Sequence, residues 1–376
     1  MKITFLVERP TQFEAPFYRF AARDPEHELR VLYTGAEVAE PVFDPELGRT
    51  VSWGIDLLGG YPCEVCPAEG AEAWLAERLR PERCDLVIVN GYTQPLYRLG
   101  ARTAKGAGVA TALRLDSVLW DASPFRNFAK RLLFATYLKR TYDLFLGVGS
   151  LTWEYLRAFG VPKERAGFFP YAVDVEEFRS RSSQADRAAV RERLGVPAGA
   201  QVVLGLAKFN DREAPWDLLR AFVRFKGKDV WLVLAGDGPA RPRLEAFAYD
   251  EGLSRVRFPG YIPYPELPAL YAAADTFVHA AREERWGVSV QEALACGLPV
   301  VASSRVGAGY DLIEAGANGF VYSVGDPESL AVHIEGALAL HPERVRERSR
   351  EILARWDYAA AWHNLLEAAS RAARKP

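Results

Sequence analysis

The chain has 376 residues. This length exceeds that of an ordinary single domain and suits two α/β domains, each with its own hydrophobic core. Charged residues make up 26% of it, and the formal net charge of −2 excludes a general electrostatic attraction to nucleic acid, so no nucleic-acid partner is expected. No stretch reaches the roughly 20 apolar residues that a membrane-spanning helix needs, and the apolar run at the start is too short for a signal peptide, so the expected location is the cytoplasm.

Short β-type runs alternate with helical patterns along the first half of the chain. The predicted strands are Ile3–Val7, Leu29–Tyr33, Asp85–Asn90, Val109–Leu115, Leu144–Val148 and Gly167–Phe169. Helical patterns at Gly70–Arg80 and Thr152–Phe159 lie between some of them. This alternation predicts a parallel sheet that is covered by helices on both faces.

The same pattern restarts after about residue 178. The predicted strands are Gln201–Leu206, Val230–Ala235, Val256–Phe258, Thr276–His279, Pro299–Ala302 and Gly319–Tyr322. The helical patterns between and after them are Trp216–Lys226, Arg241–Glu251, Leu267–Ala274, Val290–Ala295 and Pro327–Leu340. We therefore predict two doubly wound halves, with the polar segment Ser180–Ala185 as the linker.

Metal chemistry is not indicated by the cysteines and histidines. Cys63 and Cys66 form a lone CxxC, and Cys84, Cys296 and the five histidines are scattered along the chain. A structural zinc site would need two further ligands at similar spacing, so we expect no metal.

The most informative stretch is a charged loop between a predicted strand and a predicted helix. Glu284 follows the strand that ends at His279, and Gly287 allows the backbone of the next helix to come close to a ligand. The free amides of a helix start favour an anion such as a pyrophosphate. Glu292 lies roughly one turn into that helix. Two carboxylates around an anion-binding helix end suit a sugar nucleotide, which has hydroxyls at both ends and phosphates between.

This stretch resembles the signature of the family 4 retaining glycosyltransferases, also described as glycosyl transferases group 1. The matching residues are Glu284-x7-Glu292, Trp286-Gly287 and the run Glu-Ala-Leu-Ala-Cys-Gly-Leu-Pro-Val-Val-Ala over 292–302. The resemblance implies a GT-B fold of two Rossmann-like domains that face each other across a cleft. We predict an acceptor-binding domain over 1–178 and a nucleotide-sugar-binding domain over 179–355, with a final helix near 356–376 that packs back on the first domain.

Donor-site residues are assigned by the same resemblance. Glu284 would contact hydroxyls of the donor sugar, and Glu292 would bind the ribose hydroxyls. The other predicted donor-binding residues are Trp286, Gly287, Val288, Gly236 and Tyr261, the last two from flanking segments that also resemble the family.

The expected diphosphate clamp departs from the family pattern. Family members show Gly-Arg and, five or six residues later, Lys-Gly, whereas this chain has Lys208 at the first cationic position and Glu213 at the second. Arg212 is predicted to supply the second cation, and Glu213 is expected to point away. With Glu284, these two cations form the predicted catalytic set. The alternative is that Lys208 and Arg212 are surface charges.

Acceptor-side candidates and a basic segment lie in the first half. The strand-end candidates for the acceptor are Gln12, Asn90, Tyr92, Arg114 and Asp116, although caps and turns explain such residues nearly as well. The segment Phe125–Tyr142 carries the basic residues Arg126, Lys130, Arg131, Lys139 and Arg140, with its aromatic and leucine positions expected on the other face. It fits contact with a membrane surface or a phosphorylated acceptor, and a solvated basic helix is the simpler alternative.

The predicted function is therefore retaining transfer of a sugar from a UDP- or GDP-sugar to a glycan, a lipid-linked acceptor or a small molecule. The resemblance implies no cofactor and no divalent metal, in keeping with the absence of an Asp-x-Asp motif. Two alternatives stay open: a non-catalytic nucleotide-sugar-binding protein, or another GT-B enzyme such as a phosphorylase or epimerase.

Overall fold

The computed structural model describes residues 1–35, 41–120 and 123–373. The chain divides into two compact units. Unit 1 comprises Met1–Ala39, Asp56–Val173 and Trp356–Pro376, and unit 2 comprises Glu40–Ile55 and Asp174–Arg355.

The strands and helices alternate as the sequence predicts. In chain order the strands are β1 (Lys2–Val7), β2 (Glu28–Tyr33), β3 (Val42–Asp44), β4 (Arg49–Val51), β5 (Cys63–Val65), β6 (Leu86–Asn90), β7 (Ala110–Leu115), β8 (Leu144–Gly147), β9 (Ala166–Phe168), β10 (Gln201–Leu206), β11 (Val230–Ala235), β12 (Val256–Arg257), β13 (Thr276–His279), β14 (Val300–Ser303) and β15 (Gly319–Tyr322). The helices are α1 (Glu14–Ala21), α2 (Ala71–Arg78), α3 (Pro95–Gly106), α4 (Pro124–Leu133), α5 (Lys139–Thr141), α6 (Ser150–Ala158), α7 (Val175–Gln184), α8 (Arg187–Arg193), α9 (Pro215–Phe222), α10 (Arg241–Asp250), α11 (Leu267–Ala273), α12 (Val288–Ala295), α13 (Ala308–Leu312), α14 (Pro327–Leu338), α15 (Pro342–Leu353) and α16 (Tyr358–Ala373).

Unit 1 is built on a parallel sheet with the strand order β5-β2-β1-β6-β7-β8-β9 among the described residues. Its central strands are almost wholly buried, as expected when helices cover both faces. The final helix α16 packs against β9 and α1. A side chain at Gly167 of β9 would collide with Ala368 of α16, so this close approach depends on glycine.

Unit 2 contains a second parallel sheet, in the order β12-β11-β10-β13-β14-β15. The chain runs outward from β10 to β12 and then returns to the other side of β10 with β13. This reversal is the topological switch point of a doubly wound sheet, where ligands bind beyond the carboxyl ends of the strands. The loops that follow β10 and β13 are therefore neighbours, and both carry residues that the sequence singled out.

The predicted linker at Ser180–Ala185 is wrong. Residues 180–184 are the last five of helix α7, which begins where the Asp174 carboxylate accepts the backbone N–H of Glu177 at 2.9 Å. Phe178 is the buried residue of this helix, so the polar residues form its solvated face. The polar segment that was predicted to be a linker is therefore the end of a helix in which Phe178 is the buried residue.

The predicted boundary between the domains also needs correction. Unit 2 begins at Asp174 rather than after residue 178, and it gains a segment from the first half of the chain. We call residues 41–55 the acidic hairpin, because β3 and β4 pair antiparallel, with Phe43 opposite Thr50, and its turn carries Asp44 and Glu46. Nothing in its local sequence pattern indicates that it packs with residues more than 150 positions later.

No helix within the described ranges is both long and apolar enough to cross a membrane.

Candidate functional site

The loop that carries Glu284 is held by backbone hydrogen bonds to the loops on either side of it. The N–H of Arg282 donates to the carbonyl of Arg212 at 2.7 Å, which joins the loop to the one after β10. The N–H of Glu284 donates to the carbonyl of Arg305 at 2.8 Å, and its own carbonyl accepts from Gly307 at 2.9 Å. Main-chain contacts therefore fix the position of this carboxylate at the switch point.

An ion pair between a buried aspartate and a half-exposed arginine strengthens this arrangement. Asp217 of α9 is buried, and the guanidinium of Arg282 contacts it through two nitrogens, at 2.9 and 3.3 Å. Such a forked pair fixes direction as well as distance, and it locks the Glu284 loop to the start of α9. Asp217 was missed by sequence reasoning because an acid inside a helical pattern ordinarily reads as a solvated face.

Helix α12 starts as the spacing predicts, immediately after a glycine in a left-handed conformation. Gly287 has φ 99°, and an added Cβ would come within 3.0 Å of Val306 and 3.4 Å of the Glu284 side chain. Trp286 is buried beside it, while Val288 is half-buried at the first position of the helix. The amides of a first helical turn lack intrahelical acceptors, so this end of α12 is suited to bind an anion.

Glu292 lies on α12 with its carboxyl group buried. It accepts a hydrogen bond from the hydroxyl of Tyr271 at 2.9 Å, and burial raises its pKa to about 7. A hydroxyl partner of this kind is what a ribose would also supply. The ribose-binding role of Glu292 stays a prediction.

The predicted cations and Glu284 form one cluster. One terminal guanidinium nitrogen of Arg212 lies 3.3 Å from the Glu284 carboxylate, and the other lies 3.4 Å from Glu46. The Lys208 ammonium lies 2.6 Å from Glu46 and 2.9 Å from Asp44. Neither Asp44 nor Glu46 was foreseen, because both belong to the acidic hairpin.

The expectation that Glu213 points away from the cluster is wrong. Its carboxylate lies 2.7 Å from Arg212, and burial raises its pKa to about 7. Its backbone N–H donates to the Asn210 side chain, and the next residue, Ala214, has φ 51°, in the left-handed region. Ala214 thus holds a backbone conformation that glycine adopts easily. The chain path at this turn brings Glu213 to Arg212.

Gly236 and Tyr261 lie at the ends of two neighbouring strands. Gly236 has φ 133° and donates to the carbonyl of Gly260 at 2.8 Å, and a Cβ on it would collide with the carbonyl oxygen of Ala207. The hydroxyl of Tyr261 donates to the carbonyl of Ser52 in the acidic hairpin at 3.2 Å. Gly236 therefore permits close backbone packing, and Tyr261 meets the same hairpin that contacts Lys208.

His279 is another residue that sequence reasoning missed. It ends β13, it is buried, and its Nε2 has no hydrogen-bond partner within the described part of the chain. Its ring would lie 3.4 Å from a Cβ at Gly287. Burial, reinforced by the charge of Arg212, lowers its pKa to about 4, so the imidazole beside the α12 start is neutral near pH 7. A histidine within an apolar strand gives no signal in sequence.

Arg114 has a structural position that the sequence did not predict. It is buried and lies 2.9 Å from the carboxylate of Glu14, and it donates to the carbonyls of Phe169 and Pro170. Its guanidinium also stacks within 4.2 Å of the rings of Phe169 and Tyr171. These contacts explain why Arg114 is buried, and its role in binding the acceptor substrate stays a prediction.

The other acceptor-side candidates remain at strand ends of unit 1. Asn90 donates to Glu14 at 3.3 Å, so it joins the Arg114 pair rather than standing apart. Gln12, Tyr92 and Asp116 are half-buried. Their role in acceptor binding stays a prediction.

The basic segment folds as α4, one π-helical turn at Phe134–Leu138 and α5. Lys130 lies 5.1 Å from the centre of the Tyr155 ring, and Lys139 donates to the carbonyl of Gly160. The remaining basic side chains are exposed: Arg126, Arg131 and Arg140. Three of the aromatic and leucine positions that were expected on the face opposite the basic residues are exposed on α4, namely Phe125, Phe128 and Leu132.

Comparison with known proteins identifies the family. The model of the glycosyl transferases group 1 matches residues 186–352. A GDP-mannose-dependent phosphatidylinositol monomannoside mannosyltransferase from Mycolicibacterium smegmatis is 30% identical over 297 residues, which cover 76% of this chain and 75% of that protein. The chain belongs to the glycosyl transferases group 1 family. This membership confirms the predicted family and the predicted class of transferase enzyme.

Other relatives match over a shorter span. A lipopolysaccharide core biosynthesis glycosyltransferase from Rhizobium meliloti is 36% identical over 169 residues, or 44% of this chain and 48% of that protein. A D-inositol 3-phosphate glycosyltransferase from Thermobispora bispora is 33% identical over 193 residues, or 48% of this chain and 44% of that protein. The chain thus spans about half the length of several curated relatives that it matches.

Solved structures match over the whole chain. HepE from Anabaena, in complex with UDP, superposes with a TM-score of 0.75 at 21% identity, covering 98% of this chain and all of that one. A glycosyltransferase from Rickettsia africae gives a TM-score of 0.78 at 14% identity, covering 100% and 99%. These likenesses confirm the predicted GT-B fold.

Proposed function

We propose that this glycosyltransferase moves a sugar from a nucleoside diphosphate sugar to an acceptor with retention at the anomeric carbon. The observation that carries the proposal is the cluster at the switch point of unit 2. There, Glu284 lies beside Gly287 at the start of α12 and pairs with Arg212, which Glu46 links to Lys208. Cations and amides suit a diphosphate, and Glu284 suits a sugar hydroxyl.

The chemistry needs these groups mainly to stabilise the leaving diphosphate. As the bond between the anomeric carbon and the phosphate oxygen breaks, negative charge develops on the phosphate, where Lys208, Arg212 and the helix amides stabilise it. No divalent metal is required in this scheme. An acceptor hydroxyl attacks from the face that the diphosphate leaves, and the phosphate oxygen takes its proton, so the configuration is retained and no side chain need act as base.

The names of relatives and solved structures bear on which nucleotide the donor carries and which acceptor receives the sugar. A GDP-mannose-dependent enzyme is among the sequence relatives, and UDP and UDP-glucose are bound in structures of HepE. Both UDP- and GDP-sugars are therefore proposed donors. Relatives named for lipopolysaccharide core and phosphatidylinositol mannoside synthesis support a lipid-linked acceptor, and the D-inositol 3-phosphate glycosyltransferases support a small-molecule acceptor.

A donor-hydrolysis screen tests this function. The protein is incubated with a panel of UDP- and GDP-sugars, and released diphosphate is measured, followed by determination of the product anomer by NMR. Release from one donor class with retention supports the proposal. Turnover that requires inorganic phosphate would indicate a phosphorylase, sugar interconversion without release would indicate an epimerase, and tight nucleotide binding without turnover would indicate a binding protein.

We also propose that α4 brings the enzyme to an anionic membrane surface. Phe125, Phe128 and Leu132 follow one another at helical spacing, and each is more than half exposed. Arg126 and Arg131 are exposed on the same helix. Apolar side chains beside exposed arginines match the interface of an anionic bilayer, and such a location would suit a lipid-linked acceptor.

Vesicle sedimentation tests the membrane proposal. The chain should bind phosphatidylglycerol vesicles and not phosphatidylcholine vesicles, and the double substitution Phe125→Ser with Phe128→Ser should abolish the binding. Tyr249→Ser, which changes an exposed aromatic residue on α10, is the matched control. Equal binding of both lipids, or binding that survives the double substitution, would contradict it.

A further inference from the structure

The acidic hairpin places a carboxylate where the donor diphosphate is proposed to bind. One carboxylate oxygen of Glu46 lies 2.6 Å from the Lys208 ammonium, and the other lies 3.4 Å from the Arg212 guanidinium. Glu46 therefore bridges the two cations. A diphosphate would also present separate anionic oxygens to the same pair.

Negative charge exceeds positive charge in this cluster. Two cations contact four carboxylates, which belong to Asp44, Glu46, Glu213 and Glu284. Adding a diphosphate beside all four would place like charges within a few ångströms of one another, which opposes binding. At least one carboxylate must therefore leave, or become neutral, when the donor enters.

Glu46 is the carboxylate best able to leave. Asp44 is built into the hairpin turn, because its carboxylate accepts the backbone N–H groups of Glu46 and Leu47 at 2.9 and 3.1 Å, and its side chain is 14% exposed. The Glu46 side chain is 41% exposed, and its contacts are with the two cations. Glu213 and Glu284 are held within the rigid loops after β10 and β13.

The hairpin itself is attached by contacts that can be exchanged. Its strands have three residues each, and an isolated two-stranded hairpin of that size is marginally stable. Besides the ion pairs of Asp44 and Glu46, the half-exposed pair of Arg49 with Asp237 at 3.3 Å and the hydrogen bond from Tyr261 to Ser52 join it to the rest of unit 2, and Leu47 and Val51 are buried. Exposed ion pairs contribute little, so withdrawing the Glu46 side chain from the two cations has a small cost.

We propose that Glu46 is an internal counter-ion that holds Lys208 and Arg212 until the donor diphosphate displaces it. This inference rests on the proposed function, since it assumes that the diphosphate binds these two cations. The hairpin then competes with the donor. Binding of the nucleotide is coupled to loss of the Glu46 ion pairs, which help to hold residues 42–51 on the cluster.

Titration calorimetry with UDP and with GDP tests the competition. Glu46→Gln removes the competing charge and keeps the shape, so it should bind its preferred nucleotide about five- to tenfold more tightly than the unaltered protein. Glu251→Gln is the matched control, because Glu251 is equally exposed and pairs with Lys226 at 3.0 Å on the same unit. The control should leave affinity unchanged.

The possible outcomes distinguish failure of the counter-ion inference from failure of the proposed donor site. Nucleotide binding that is equal or weaker in Glu46→Gln would overturn the counter-ion and leave the donor site standing. If neither UDP nor GDP binds to any of the three proteins, the donor assignment itself fails and the counter-ion with it.

Hydrogen exchange gives a second test in the unaltered protein. Addition of the nucleotide that binds should speed exchange of the β3 and β4 amides, because the hairpin loses the Glu46 ion pairs that help to hold it. Unchanged or slower exchange there would overturn the displacement, even if the variant binds more tightly.

Discussion

Both units have charged residues at the ends of parallel strands, but these residues differ in their exposure and in their partners. In unit 1, Arg114 and Glu14 are 4% and 10% exposed, and protein groups satisfy the pair on every side. In unit 2, Lys208 and Arg212 are 30% and 39% exposed, and their partners are carboxylates. The comparison teaches that position at a strand end is not sufficient to mark a ligand site.

Arg114 of unit 1 and Lys208 of unit 2 differ in whether a ligand could replace the protein groups that they contact. Arg114 contacts carbonyls of the segment after β9 and stacks on the Phe169 and Tyr171 rings, so its removal would leave Glu14 buried without its cation. Lys208 keeps water access and meets a side chain that can move. Buried, saturated charges hold a fold together, whereas half-exposed cations are available to a ligand.

Arg114→Ala is expected to give the largest effect. It leaves the Glu14 carboxylate buried and unpaired, so the free energy of unfolding should fall by about 3–5 kcal/mol in urea denaturation. Arg102→Ala, at an exposed position of α3, should change it by less than about 0.5 kcal/mol. A loss in Arg114→Ala no greater than in the control would break the contrast between the units.

Glu284→Ala should lower turnover and leave stability nearly unchanged. Loss of a charged hydrogen bond to the donor sugar would cost about 1.5–3 kcal/mol in kcat/KM, measured with the donor found in the screen. Glu283→Ala removes an exposed carboxylate one position earlier and is the control. If both variants keep full activity, Glu284 is not part of the donor site.

Lys208→Gln should weaken nucleotide binding about tenfold, because one charge-assisted contact to the diphosphate is lost. Calorimetry with UDP or GDP measures the change. Lys226→Gln, which breaks the pair with Glu251, should have no effect. Equal affinity in both variants would place the diphosphate elsewhere.

The last prediction concerns the pH dependence of stability. Burial raises the pKa of Glu292 from 4.5 to about 7, so the native protein keeps a proton that the unfolded chain releases between these values. The free energy of unfolding should therefore fall as pH rises from 4.5 to 7, by up to about 1.4 kcal/mol per pH unit from this group, and its share should be constant above 7.

The substitution Glu292→Gln removes the contribution of Glu292 to the pH dependence of the free energy of unfolding, and so measures it. Glu213 contributes with the same sign, and His279, with a pKa lowered to about 4, contributes with the opposite sign, but both are present in the two proteins. Urea denaturation at several pH values should give a less negative slope for the variant between pH 4.5 and 7. Parallel curves would show that the Glu292 carboxyl is not held neutral by burial.

Local pattern was enough to predict most strands, the two halves and the Glu284 loop. The strands β10, β11, β13 and β15 have the predicted bounds, because continuous apolar runs between turns specify buried parallel strands. The short strands β3, β4 and β5 were missed, since three-residue strands carry too little periodicity. The end of α7 was mistaken for a linker because its face is almost wholly polar.

The sequence by itself determined the family, the sheet architecture and the motif of Glu284, Gly287 and Glu292, because these depend on residues close together in the chain. Tertiary structure alone decided that Glu46 contacts Lys208, that Asp217 pairs with Arg282 and that Arg114 pairs with the buried Glu14. Each of these facts depends on groups far apart in sequence. A charged residue has the same letter whether it is solvated, buried with a partner or waiting for a ligand, and only packing distinguishes these states.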